Sequence, residues 1–152
     1  MKPTMNNSQQ MIQGINTLKN MGLQVLEQTP NFLKVQMPKE GNKNHFGGVY
    51  AGAIFSLAEF PFGMMCIHKF GMRELVPVVG EVTIRYLAPA DSDLVVELSV
   101  PDEEWETIAR ETKAHGKFKI VKEIEVKDAQ GKVNTVVKAT YFTVSAQHLK
   151  HG

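Results

Sequence analysis

The stretch NHFGGVYAGAIFSLAEFPFG, Asn44–Gly63, decides the fold. It opens on glycines, turns apolar, and continues apolar through Met64, Met65, Cys66 and Ile67. Such a run is too long for one strand, so it reads as a helix from about Val49. Glu59 is its one carboxylate and the only acidic residue between Lys43 and Lys69. Phe46 to Ile67 is nearly long enough to span a bilayer. However, it contains Gly47, Gly48, Gly52, Pro61 and Gly63. Glu59 near the bilayer centre would cost roughly 2.5–3.5 kcal/mol or more. The segment also lacks tryptophan and a basic cluster on one flank. It is expected to be a core helix, with no membrane association. A helix apolar on nearly every side must be wrapped by a sheet, or clasped between a sheet and a partner subunit.

The flanking sequence supplies that sheet. Upstream, LQVLE and NFLKVQMP read as two strands around the turn QTPN. Ser8 is placed to cap a first helix with Met11, Ile12, Ile15 and Leu18 on one face, stopped by Gly22. Downstream the period becomes two. In VPVVGEVTIRYLAPA, Val78, Val82, Ile84 and Tyr86 alternate with Val79, Glu81, Thr83 and Arg85. DLVVELSV repeats the pattern with Leu94, Val96 and Leu98 inward. PDEEWETIARETKAHG breaks it. Pro101 and three acids suit a helix start, Gly116 suits a stop, and Trp105, Ile108, Ala109 and Thr112 form the packing stripe. Two last strands, Lys117 to Lys127 and Lys132 to Ala146, flank the turn DAQGK. The layout is α+β: an antiparallel sheet around a long central apolar helix, with an extra N-terminal helix and an inserted helix near 101–115.

The 152 residues are about the size of one ordinary domain and read as a single one, 1–152. A formal net charge of +1 gives no pull towards nucleic acid. The histidines form no pair at ligand spacing, so no metal site is expected. Cys66 is the only cysteine and lies among Met64, Met65 and Ile67, which reads as a buried, inert thiol. The polar start MKPTMNNSQQ has no signal-peptide core, and a cytoplasmic location is expected.

The layout and the opening stretch together resemble the hot-dog thioesterases, in particular the phenylacetic-acid-degradation type of acyl-CoA thioesterase. Members show an Asn, a Gly, a His-Gly-Gly trio, and then an apolar helix carrying Asp or Glu. Asn44, Gly47, the trio Tyr50-Ala51-Gly52, and Glu59 align with these. Tyr86-Leu87-Ala88-Pro89-Ala90 is similar to the family's strand end, aromatic-x-x-Pro-Ala. The resemblance runs from about Asn44 to Val100, and the helix near 101–115 looks like a subfamily feature. Three positions depart from the pattern. Tyr50 stands where the family has histidine, Ala51 stands where it has the first of the two glycines, and Val79 stands near the place where some members carry a catalytic Ser or Thr.

The resemblance implies hydrolysis of acyl-CoA thioesters to free acid and CoA. The catalytic set would be Glu59, Asn44 and the backbone N–H of Ala51 as oxyanion donor. Substrate-binding positions would be Tyr50, Gly52, Phe55, Ser56, Phe62 and Val79. No cofactor is implied, coenzyme A entering only as part of the substrate. A homodimer or homotetramer is implied, because a carboxylate faces the helix start of the paired subunit. The chemistry fits these residue types. Apolar neighbours such as Phe55, Phe60 and Phe62 would desolvate Glu59 and make it a better base near neutral pH. Ser56, one turn earlier, would hydrogen-bond it. Asn44 would hold the attacking water. Pro61 cannot donate to the Leu57 carbonyl, so the helix should kink or end just after Glu59. Two alternatives stay open: a domain that binds acyl groups without turning them over, and a structural Glu59 satisfied by backbone or by Arg85.

Overall fold

The structure is a computed structural model and describes residues 7–150. The elements are α1 (Asn7–Gly14), α2 (Asn16–Asn20), β1 (Gln24–Thr29), β2 (Phe32–Met37), α3 (Ala51–Phe70) and β3 (Leu75–Tyr86). They continue with β4 (Leu94–Ser99), α4 (Asp102–His115), β5 (Lys117–Lys127), β6 (Val133–Ser145) and α5 (Ala146–Lys150). Six strands form one antiparallel sheet in the order β1-β2-β4-β5-β6-β3. α3 packs across it, touching β2, β3, β4 and β5. This is the α+β hot-dog architecture.

α3 is buried in the core over most of its 20 residues. Ile54, Leu57, Ala58, Phe62, Met65 and Cys66 meet inward side chains of the sheet, including Leu33, Val35, Leu94, Val96 and Ile124. It is a core helix, although its length and hydropathy would suffice to cross a bilayer. It does not end after Glu59. The helix runs on through Pro61 to Phe70, and Gly71 at φ +68° terminates it.

β3 carries a correction to the simple alternation. The register places Val79 opposite Tyr141 and Glu81 opposite Thr140, so Gly80 is an extra, bulged residue. The bulge reverses the phase. Val79, Val82, Ile84 and Tyr86 share the inner face with Tyr141, and Val78 lies opposite Phe142 on the outer face. A Cβ at the bulge would lie 2.6 Å from the Phe142 ring, so a side chain there would force that ring to move.

The N-terminal region also differs from the sequence reading. Two short helices replace one, because the chain leaves helical geometry at Ile15 (φ −113°, ψ 105°), directly after Gly14. Ile12 and Leu18 are buried, while Ile15 is exposed. Ser8 lies inside α1 instead of capping it. Its N–H donates to Gln28 Oε1 at 3.3 Å, and Gln28 Nε2 donates to its hydroxyl at 2.7 Å. Gln9 then reaches the edge of β1. Its Oε1 accepts the Val25 N–H at 2.8 Å, and its Nε2 donates to the Leu23 carbonyl at 3.2 Å.

α4 starts just after Pro101, carries Asp102, Glu103 and Glu104 in its first turn, and stops at Gly116 in the left-handed region. Trp105 is 1% exposed. Its ring lies 6.2 Å from Phe62 and 5.5 Å from Phe70, and its Nε1 donates to the Pro30 carbonyl at 2.9 Å. The Thr112 hydroxyl bonds the Ile108 carbonyl and pairs with Thr143 of β6. Glu104 forms an ion pair with the mostly buried Lys122 of β5. The element is thus an added helix that extends the core beyond α3.

Candidate active site

The loop before α3 is folded on Asn44. The Asn44 N–H donates to the Gly48 carbonyl at 2.7 Å, and its Oδ1 accepts the Phe46 N–H at 2.8 Å. Gly47, at φ +89°, closes this turn. The Asn44 side-chain oxygen is therefore committed to the loop, and only Nδ2 remains without a partner among the described residues. Tyr50 follows as the residue before the helix, extended at φ −65°, ψ 134°. The first intrahelical bonds run from Ala53 and Ile54 N–H to the Tyr50 carbonyl. Among the described residues nothing accepts from the Ala51 or Gly52 N–H, the expected state of a helix start.

Asn44 and Ala51 come together. They line one cavity of about 320 Å³ with Val49, Ile54, Tyr86 and residues 87–90. Tyr86 was not assigned a role from the sequence, where it appeared only as the aromatic of the strand-end motif. Its hydroxyl donates to the Ala51 carbonyl at 3.0 Å and ties the end of β3 to the first turn of α3. Burial pushes its titration up, and the neighbouring Tyr50 adds to that.

Tyr50, Gly52 and Ser56 line a second cavity of about 290 Å³ with Thr17, Met21, Asn42 and Lys43. Tyr50 is exposed, and its ring lies back over the helix start. A Cβ at position 52 would come within 2.5 Å of it, so glycine makes room for the ring. Ser56 does not bond Glu59. Its hydroxyl donates to the Gly52 carbonyl at 3.1 Å, the preceding-turn bond open to a serine inside a helix.

Glu59 lies eight residues beyond Ala51, about 12 Å along the helix axis, and lines neither cavity. Its side chain is half-buried and has no hydrogen-bond or ion-pair partner among the described residues. Arg85 offers none, since it stands opposite Val136 on the outer face. Burial raises the Glu59 pKa above the ordinary carboxylate value. Phe55 is exposed, whereas Phe62 is fully buried, 4.6 Å from Tyr141 and stacked towards Trp105. Val79 is partly open to solvent on the inner face of the edge strand, opposite Tyr141. Tyr141 itself was invisible to sequence reasoning, being one inward residue of a regular strand. Its hydroxyl donates to the Glu59 carbonyl at 2.7 Å. Cys66 is buried, and burial pushes its thiol up to about 12, so it stays protonated and inert.

The family of the domain of unknown function DUF4442 matches residues 8–144. The chain belongs to the DUF4442 family. A protein of unknown function from Pseudomonas aeruginosa, described as a probable thioesterase, is 32% identical to this DUF4442 chain. Its TM-score is 0.88, over 94% of this chain and 96% of its own. The PaaI protein of the phenylacetic acid degradation operon of E. coli is 22% identical with a TM-score of 0.66, covering 89% and 88% of the two chains. A thioesterase from Haemophilus influenzae is 14% identical with a TM-score of 0.71, covering 95% and 93%. These last two share the fold with the DUF4442 chain. No curated protein is significantly similar to it in sequence.

Proposed function

We propose that this protein hydrolyses acyl-CoA thioesters, with Glu59 as general base or nucleophile and the Ala51 N–H as oxyanion donor. The observation that carries the reading is a half-buried carboxylate without a hydrogen-bond or ion-pair partner among the described residues, on a helix whose start presents N–H groups that none of those residues accepts from. An unpaired carboxylate in an apolar segment is costly unless it has a use. A raised pKa improves a base that must work near neutral pH. Thioester attack builds negative charge on the carbonyl oxygen, and donors fixed in advance stabilise it. The resemblance to a probable thioesterase supports the class of reaction.

Asn44 Nδ2 is the group left to hold water or the thioester at the first cavity. Tyr50, Gly52, Phe55, Ser56, Phe62 and Val79 are the proposed substrate-binding positions, of which Tyr50, Gly52 and Ser56 share the second cavity. The acyl-CoA is the sole small-molecule partner, and the protein works as a homodimer or a dimer of dimers. The test is thiol release from a panel of acyl-CoAs by the wild type and Glu59→Gln. The variant keeps size and hydrogen-bonding capacity, so binding should persist while turnover falls by roughly 10²–10⁴-fold. Glu59→Asp should retain part of the activity. Full turnover by Glu59→Gln with a lower melting temperature would assign Glu59 a structural role. Saturable acyl-CoA binding by the wild type without any release would instead favour the non-catalytic reading, for which the apolar Val79 is the relevant feature.

A further inference from the structure

Tyr141 stands in an apolar setting that makes its one polar contact conspicuous. It is 2% exposed, with Val79 and Ile120 opposite it on the two neighbouring strands and Phe62 against its ring. A buried phenol needs a partner, and this one donates to the backbone carbonyl of Glu59 across 82 residues of sequence. The carbonyl can take a second donor because it has two lone pairs. The turn concerned also lacks one helical hydrogen bond. Pro61, inside the helix, has no N–H to give the Leu57 carbonyl. The helix nevertheless runs through this point.

Resting on the reading of Glu59 as the base, we propose that Tyr141 is a positioning residue. It fastens the proline-weakened turn of α3 to β6 and so fixes where the Glu59 carboxylate stands. Among the described residues the carboxylate has no hydrogen-bond or ion-pair partner of its own, so its placement depends on its backbone and on packing. Burial raises its pKa, and that burial also depends on the turn staying seated against the sheet. The titratable groups nearby are few. Tyr141 feels Glu59 and Cys66, and Cys66 in turn feels Lys122 of β5 and Glu104 of α4.

The experiment is Tyr141→Phe, which keeps the ring and removes the hydroxyl. Two readouts are needed: kcat and KM with an acyl-CoA that the wild type turns over, and the titration midpoint of Glu59 by carboxyl ¹³C NMR. Glu59→Gln assigns the resonance. The expected result is a kcat lower by roughly 10- to 100-fold with KM held, the scale of a slight misplacement of a catalytic group. The Glu59 midpoint should move down towards the ordinary carboxylate range as the turn loosens and admits water. Adding Pro61→Ala, which restores a donor to the Leu57 carbonyl, should bring kcat part of the way back. A Tyr141→Phe protein with unchanged kcat and midpoint, and only a lower melting temperature, would overturn the proposal while leaving Glu59 as the base. Absence of any recovery in the double variant would overturn the route through the helix turn. Full turnover by Glu59→Gln would instead remove the reading on which both depend.

Discussion

Ala51 and Glu59 lie on one helix yet cannot serve one thioester. Ala51 opens into the cavity shared with Asn44, while Glu59, about 12 Å further along, lines no part of it. A reacting carbonyl must sit close to both an oxyanion donor and the base. On the proposed reading the two would therefore serve different sites, each completed by a second copy of the chain. Ala51 offers a clean probe. It is the first helical residue, and Tyr50 before it has the extended backbone that a following proline requires. Ala51→Pro should fold normally, remove one N–H, and lower kcat by about 10²–10³-fold. Co-expression of Ala51→Pro and Glu59→Gln chains should restore turnover, because the mixed dimer holds one intact site. Mixed dimers as inactive as either parent would place the whole site within a single chain.

The raised pKa of Glu59 gives two pH dependences of opposite use. As a base it works ionised, so kcat should rise with pH through a limb lying above the ordinary glutamate value of about 4.3. Stability moves the other way. The unfolded chain ionises Glu59 at lower pH than the folded one. Folding stability therefore falls as pH rises from the unfolded towards the folded pKa, and stays lower above it. Glu59→Gln removes this penalty. Its melting temperature should match or exceed the wild type at pH 8 and lose that advantage near pH 4. A variant less stable than the wild type at pH 8 would mean that the carboxylate is held by favourable contacts.

Much of the fold was legible because each element carries its own period. The buried helix announces itself by length, β4 by Leu94, Val96 and Leu98, and α4 by its acids, its stripe and Gly116. What was hidden depends on contacts distant in sequence. The bulge at Gly80 shows only in the pairing of β3 with β6, where the Phe142 ring occupies the space a side chain would need. The exposure of Ile15 follows from a break that helical periodicity does not reveal. At the site, Glu59 stood out as a charge in an apolar run. Tyr86 and Tyr141 did not, because an inward tyrosine reads as core until the carbonyl it meets is known.

α4 should be needed for stability. Trp105 fills space against Phe62 and Phe70 and satisfies the Pro30 carbonyl. Trp105→Ala should cost about 3–5 kcal/mol, measured by denaturant unfolding. Trp105→Phe should cost less, keeping part of the packing but leaving the carbonyl without its donor. A loss below about 1 kcal/mol for the alanine variant would show that α4 packs independently of the central core.

The sheet presents a free edge at β3. Two strands lie at its ends, and they are not equivalent. At β1, Gln9 already engages Leu23 and Val25, so α1 closes that edge with side-chain hydrogen bonds. β3 is twelve residues long, has β6 on one side only, and exposes Val78, Val79 and Tyr86. An exposed edge of this length and apolarity is a liability unless another strand covers it. The proposed two-chain site would require a second copy, and β3 ends beside the cavity that Ala51 lines. The protein should therefore sediment as a dimer or larger at micromolar concentration, paired along β3. Val78→Lys with Thr83→Lys places charge on the outer face of this edge, the device by which natural sheets discourage pairing. The double variant should shift towards a folded monomer and lose turnover in proportion. A wild-type monomer at micromolar concentration, or a monomeric variant with full turnover, would refute the pairing and the shared site together.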